Sequence, residues 1–208
     1  MAGRFLSFEG VDGSGKSTQA RLLAEALRTA GHQVTLTREP GGSAGAEEIR
    51  RLVLEGDPDR WSAETELLLF TAARRDHLEK TIRPALSAGL VVITDRFADS
   101  TRIYQGITRG DLRAAVDALH DLMIGVDPDL TVLIDIDPDL GLSRAVARAG
   151  RELRFEDMGV DLQHQMRAGF LDLAARTSRM QVVEGSGDAQ SVANLVWARV
   201  QRHLGLPS

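Results

Sequence analysis

The sequence predicts an α/β fold, a parallel sheet with helices on both faces. Three observations carry this. Five short apolar runs alternate with longer helical stretches along the 208 residues, the order that builds a parallel sheet. Several runs are nearly continuous in apolar and β-branched residues rather than alternating, as expected of strands covered on both sides. Charged or glycine-rich residues follow each run directly, where the carboxyl ends of parallel strands would bring them to one edge.

The first strand is "RFLSF", Arg4 to Phe8, and the helix behind it places Ala20, Leu23 and Leu27 on one face, with Gly31 as its C-terminal stop. The second strand is "QVTLT", Gln33 to Thr37. A helical stretch from about Ala63 to Ala88 follows, kinked or restarted at Pro84 and ended by Gly89. The third strand is "LVVIT", Leu90 to Thr94, and the fourth is "LTVLIDI", Leu130 to Ile136. Asp137 then caps a helix that has Pro138 at its first position. "MQVV", Met180 to Val183, is the fifth strand, and "DAQSVANLVWARVQRHL" closes the chain as an amphipathic helix. No repeat, low-complexity tract or linker divides these elements, so residues 1–208 read as a single domain. The charged segment Gly150 to Gly159, "GRELRFEDMG", bounded by glycines between two helical stretches, reads as a mobile excursion.

The connection between the first strand and its helix is the most informative stretch. Gly10, Gly15, Lys16 and Ser17 satisfy GxxxxGK(S/T), with a strand before and an amphipathic helix after. Glycines let the backbone turn tightly and lay bare N–H groups against phosphate oxygens, and the helix N-terminus adds partial positive charge. Lys16 then reaches the outer phosphates of a nucleoside triphosphate, and the Ser17 hydroxyl coordinates Mg²⁺. Asp12 fits simple anion binding poorly. It either forms the turn or faces a sugar hydroxyl or a metal ion.

The other strand ends add to this. Asp95, in "DRF", holds Mg²⁺ beside Ser17 or caps the following helix. Arg38, in "REPGG", and Arg96 stand at the same sheet edge and suggest a second phosphorylated ligand, because guanidinium clamps phosphate with paired bonds. Phe70 and Arg74, four residues apart on one helix face, fit a base-stacking plate with a fork of donors, but residue pattern alone favours a core phenylalanine beside a solvated arginine. Arg144, Arg148, Arg151 and Arg154 fit equally a lid closing over transferring phosphates and a solvated basic face.

Composition narrows the partners. A formal net charge of −5 leaves no basic surplus for a nucleic-acid polymer. The absence of cysteine excludes disulfides, thiolate catalysis and cysteine metal sites, and fits a reducing compartment. The N-terminal apolar run is too short for a secretory signal and no run approaches membrane-spanning length, so a cytoplasmic protein is expected.

Five ordered blocks, "FEGVDGSGKSTQ", "TREPGG", "LLLFTAARRDH", "DRFADSTRIYQG" and "RFED", reaching from Phe8 to Asp157, resemble the thymidylate kinase family, in its bacterial type with lid arginines. The resemblance implies a P-loop nucleoside monophosphate kinase fold with a five-stranded parallel sheet and a short lid at about 149–158. It implies transfer of the γ-phosphoryl of ATP to dTMP with Mg²⁺, in dTTP biosynthesis, by a homodimer. By the same resemblance Gly10, Val11, Asp12, Gly13, Ser14, Gly15, Lys16, Ser17 and Thr18 hold ATP, with Asp12 also at the acceptor's 3′-hydroxyl and Arg144 against adenine. Arg38 and Arg96 grip the acceptor phosphate, Phe70 stacks on thymine, and Arg74 bonds the base edge. Ser100, Thr101 and Gln105 contact the acceptor nucleotide, and Tyr104 crowds the sugar's 2′ side. Asp95 joins Ser17 at Mg²⁺. Since no arginine stands between Gly10 and Gly15, the catalytic arginine must come from the lid, with Arg151 and Arg154 preferred over Arg148. Departures are Ile103 in place of a usual alanine, expected to tighten the sugar pocket, Phe97 for a frequent tyrosine, and Leu153 for a frequent aspartate ahead of "RFE".

Three rival readings remain. Another nucleoside or nucleoside monophosphate kinase would share these parts. A GTP-binding switch needs an Asn-Lys-x-Asp box, and the one asparagine, Asn194, is followed by leucine. A non-catalytic nucleotide-binding module is opposed by the intact Lys16, Ser17 and Asp95.

Overall fold

A computed structural model describes residues 3–57, 59–107, 110–148 and 160–205. Five parallel strands, β1 (Arg4–Glu9), β2 (Val34–Arg38), β3 (Val91–Asp95), β4 (Leu130–Asp135) and β5 (Met180–Glu184), form one sheet in the order β2-β3-β1-β4-β5. All four strand pairs are parallel, and β1 and β3 run in register from Arg4 opposite Val91 to Phe8 opposite Asp95. The strand order reverses beside β1, so its carboxyl end opens onto the crevice where open α/β sheets bind ligands.

The pleat sends alternate side chains to opposite faces. On one face Leu6, Phe8, Ile93, Val132 and Ile134 pack against Leu23 and Leu27 of α1 (Lys16–Thr29) and against Val192, Val196 and Val200 of α9 (Ala189–Leu204). On the other, Phe5, Val92 and Phe97 pack with Leu78 and Ile82, while Leu133 and Val11 meet Met166 and Phe170 of α8 (Val160–Arg176). Each such fully buried Leu, Ile or Phe contributes about 1.5–3 kcal/mol relative to exposure. The expectation of strands covered on both sides holds for β1, β3 and β4. β2 and β5 lie at the sheet edges and leave Leu36 and Val182 exposed.

The remaining α-helices among the described residues are α2 (Ala44–Leu54), α3 (Ala63–His77), α4 (Arg83–Ser87), α5 (Ala98–Ile107), α6 (Arg113–Leu119) and α7 (Pro138–Arg148). The expected helix from Ala63 to Ala88 is divided earlier than Pro84. A π-helical turn, Leu78–Ile82, joins α3 to α4, with the Arg83 N–H donating to the Leu78 carbonyl. Proline lacks an N–H and crowds the carbonyl four residues back, so the wider turn carries the chain past the ring at Pro84. Asp137 caps α7 as expected, accepting from the Asp139 N–H at 3.0 Å.

Candidate functional site

β1 ends at Glu9 and the chain turns through Gly10–Gly15 into α1. The turn is built on residues without Cβ atoms. Gly13 has φ 77°, and a Cβ there would lie 1.8 Å from the carbonyl oxygen of Gly141 in α7. The loop therefore needs glycine for both conformation and space. Thr18 falls in the first turn of α1. Lys16 curls back over the loop, its ammonium donating to the Val11 carbonyl at 3.1 Å and standing 3.6 Å from Asp12. Burial and the Arg96 guanidinium push its pKa down, against the pull of Asp12 and Asp95.

At the end of β3, the Ser17 hydroxyl donates to Asp95 Oδ2, while Asp95 Oδ1 is buried without a hydrogen-bond partner among the described residues. Asp95 is not a helix cap, because α5 begins three residues later at Ala98. A serine hydroxyl beside a carboxylate with an unfilled oxygen is a donor set of hard oxygens, suited to Mg²⁺.

Arg96 follows in a left-handed conformation, φ 73°. Its guanidinium turns back across the sheet edge to Asp12 Oδ1, to the Gly10 carbonyl at 3.3 Å, to Ser100 Oγ at 2.9 Å and to the Tyr104 hydroxyl at 3.0 Å. Tyr104 in turn donates to Asp12 Oδ2 at 3.1 Å. Burial opposes ionisation of Asp12, yet Arg96 and Lys16 hold its carboxyl below the ordinary range. Burial pushes the Tyr104 phenol far up, so it remains a protonated donor. The awkward aspartate of the loop thus faces the arginine and tyrosine of α5 and its approach.

A second group stands on α3, α5 and the loop after β2. Arg74 is 5% exposed, which overturns the expectation of a solvated arginine. The cause is Glu39, whose Oε2 accepts from Arg74 Nε at 2.7 Å. Arg74 Nη2 also donates to the Phe97 carbonyl at 3.1 Å and to Thr101 Oγ1 at 2.9 Å. Glu39 is held on its other side by His77 Nδ1 at 3.0 Å. The Gln105 amide donates to the fully buried Glu66 at 3.0 Å. Arg38 is different, half-exposed and paired with Glu47 at 3.2 Å, an ion pair of little energetic weight.

One cleft of about 330 Å³ joins the two groups. Its walls include Asp12, Gly13, Lys16, Ser17 and Asp95 from the loop side, and Arg38, Phe70, Arg74, Arg96, Ser100, Thr101, Tyr104 and Gln105 from the other. Pro40, Arg50 and Leu54 also line it and had no signal beyond their helix and loop positions. Ile103 does not line it. It is fully buried among Val11, Leu133, Met166 and Phe170, so it fills core and does not tighten a sugar pocket. Phe97 lines the cleft and packs edge-on against Phe5, ring centroids 5.0 Å apart. Arg144 lies apart, donating to the carbonyls of Gly185 at 2.9 Å and Ser186 at 2.8 Å in the loop after β5. Arg151, Arg154, Leu153 and the excursion at 150–159 lie outside the described residues, as does the side chain of Arg148.

A five-stranded parallel sheet with a GxxxxGKS turn at its switch point, and a cleft running from that turn past Arg96 to the buried Arg74, defines a P-loop kinase of the nucleoside monophosphate kinase class. Sequence comparison narrows the class, since the profile of the family described as thymidylate kinase matches residues 8–196. The chain is 71% identical over 203 residues to a thymidylate kinase of Ruegeria pomeroyi, covering 97% of this chain and 96% of that protein. It is 67% identical over 192 residues to one of Dinoroseobacter shibae, covering 92% and 93%. The crystal structure of thymidylate kinase from Ehrlichia chaffeensis superposes with a TM-score of 0.78 at 36% identity, covering 97% of this chain and all of that one. The chain belongs to the thymidylate kinase family.

Proposed function

We propose that this chain transfers the γ-phosphoryl group of ATP to dTMP, giving ADP and dTDP, within dTTP biosynthesis. The observation that carries the reading is the single cleft lined by both Lys16 and the three arginines Arg38, Arg74 and Arg96. It offers cations for two anionic tails set end to end.

The ATP phosphates lie along Gly10–Thr18, with Lys16 on the outer oxygens and Arg144 toward the adenine. Ser17 and Asp95 would hold Mg²⁺, which would supply charge neutralisation for the transferring phosphates. Arg96 and Arg38 aim the acceptor phosphate in line with the γ-phosphorus. Arg38, whose side chain among the described residues is held only by its exposed pair with Glu47, is free to swing onto that phosphate. Phe70 stacks on the thymine and Arg74 reads its edge. Glu39, Phe97 and Thr101 occupy Nε and Nη2 of Arg74, and among the described residues Nη1 makes no hydrogen bond, which leaves it for a base carbonyl. Ser100, Thr101 and Gln105 line the nucleoside, Asp12 takes the 3′-hydroxyl, and Tyr104 crowds a 2′-hydroxyl. The acceptor phosphate is anionic at neutral pH, so positioning and charge stabilisation suffice and no general base is assigned. Arg151 and Arg154 supply the remaining positive charge from a lid at about 149–158, in one kinase domain spanning residues 1–208. A homodimer in the cytoplasm is the working assembly. The lack of cysteine suits that compartment, and among the described residues no helix is long and apolar enough to cross a membrane.

The test is a panel of dTMP, dUMP, dCMP and AMP with ATP and Mg²⁺, on the chain and on Lys16→Ala. Preference for dTMP, with turnover falling about 10²–10³-fold or more in Lys16→Ala, is expected from loss of one charge-stabilising donor. Faster turnover of another monophosphate contradicts the reading.

A further inference from the structure

Glu9, the last residue of β1, is fully buried and plays no part in the function described above. A buried carboxylate is costly unless donors fill its lone pairs. Three do so here, all from the segment after β3. Oε1 accepts from the backbone N–H of Phe97 at 2.8 Å and of Ser100 at 3.2 Å, and Oε2 accepts from the Ser100 hydroxyl at 2.5 Å. Ser100 Oγ in turn receives Arg96 Nη1 at 2.9 Å. Guanidinium can only donate, so the hydroxyl proton is left for Glu9, and the relay runs in one direction from Arg96 through Ser100 to Glu9.

The geometry around Arg96 calls for such support. Arg96 is the one non-glycine residue among those described with positive φ, a conformation seldom adopted unless the surroundings impose it. The Phe97 N–H stands at the entry to α5, where donors lack intrahelical partners and a side chain of the same segment usually caps them, and the Ser100 N–H is shared between Glu9 and the Phe97 carbonyl, each at 3.2 Å. Here the cap comes from β1, so Glu9 ties the strand that enters the phosphate loop to the helix that carries Ser100, Thr101, Tyr104 and Gln105. Burial and Asp99 push the Glu9 carboxyl up to about 7, against Arg96 and the Ser100 and Phe97 bonds. Packing alone would therefore be served as well by a neutral side chain.

We infer that Glu9 is a positioning residue for the acceptor phosphate, fixing the Arg96 turn directly and the orientation of its guanidinium through Ser100. The inference rests on the assignment of Arg96 to that phosphate.

The experiment is steady-state kinetics of the full chain, with dTMP and ATP varied separately, on Glu9→Gln, Ser100→Ala, the double variant and Arg96→Lys. Glutamine keeps a carbonyl for the two N–H groups but presents NH₂ to Ser100, whose proton then loses its acceptor. KM for dTMP is expected to rise about tenfold or more in each single variant, the effect of losing one hydrogen bond to a charged group, while KM for ATP stays within about threefold. The double variant should cost no more than the worse single, since both break one relay. A dTMP KM within about twofold of the parent, a parallel rise for both substrates, or additive losses overturns the inference. Should Glu9→Gln fail to fold, Glu9→Asp, which keeps the carboxylate but withdraws it from Ser100 and leaves every cleft residue unchanged, decides by the same dTMP reading. Arg96→Lys with an unmoved dTMP KM removes the assignment of Arg96 itself, and the inference falls at that earlier step.

Discussion

Replacing Arg74 by methionine, which keeps length and volume but removes charge and donors, isolates the buried ion pair at the base end of the cleft. Arg74 and Glu39 have side chains only 6% and 4% exposed, 2.7 Å apart. Without Arg74, the Glu39 carboxylate stays buried with His77, at 3.0 Å, as its remaining partner among the described residues. Removing one member of a buried pair costs about 3–5 kcal/mol. At about 2–4 °C per kcal/mol for a chain of this size, Tm should fall about 6–20 °C. The double variant Arg74→Met/Glu39→Gln removes both charges and should recover most of that loss, since replacing a whole buried pair by neutral groups is often close to neutral. Urea unfolding followed by circular dichroism measures all three chains, and dTMP and ATP KM values on the same samples should show the loss confined to dTMP. A single-variant cost below about 1 kcal/mol, the range of exposed pairs, would refute the reasoning, as would a double variant less stable than Arg74→Met.

Asp95→Asn should raise the Mg²⁺ concentration for half-maximal activity about tenfold or more while the fold is kept, because one of two protein oxygens at the proposed ion loses its charge. An unchanged Mg²⁺ titration contradicts that site. Gly13→Ala should abolish tight ADP binding in a calorimetric titration, since its Cβ would meet the Gly141 carbonyl oxygen at 1.8 Å in a loop held at φ 77°. Parental affinity refutes the cradle geometry. Stability should also depend on Glu9, faced by Asp99, Arg96 and Lys16. Its carboxyl stands at about 7 in the folded chain against an ordinary 4.5, so between those values the folded state keeps a proton that the unfolded state releases. The stabilisation is complete below pH 4.5 and is lost as pH climbs through 7, up to about 3 kcal/mol. Urea midpoints at pH 5 and pH 7.5 should differ in the parent and converge in Glu9→Gln. Equal slopes in both contradict it.

Much of this was legible from local spacing. The phosphate loop is written in eight consecutive residues, and each strand end carries its own charged group, so the edge where Lys16, Arg38, Asp95 and Arg96 meet follows from strand alternation alone. The pairings across that edge were not legible. Glu39 and Arg74 are 35 residues apart and Arg96 and Asp12 are 84, so neither partnership leaves a periodic trace. Without Glu39, nothing in the helical pattern distinguishes a buried Arg74 from a solvated one. Glu9 falls just past the run Arg4–Phe8, and nothing marks it as buried until α5 is seen to lie over it, while Ile103 reads as pocket wall until its helix face is known to point into the core. The division of the Ala63–Ala88 stretch at Leu78 was also hidden, because the proline that causes it sits at position 84, past the turn that accommodates it.

A crystal structure of the chain with dTMP and a non-hydrolysable ATP analogue tests the central claim most directly. The expected result is one continuous cleft with the dTMP phosphate on Arg96 and Arg38, its base between Phe70 and Arg74, and the analogue's terminal phosphate on Lys16, facing the acceptor oxygen. A dTMP bound away from Arg74 and Arg96, or an analogue whose phosphates bypass Gly10–Ser17, would contradict it.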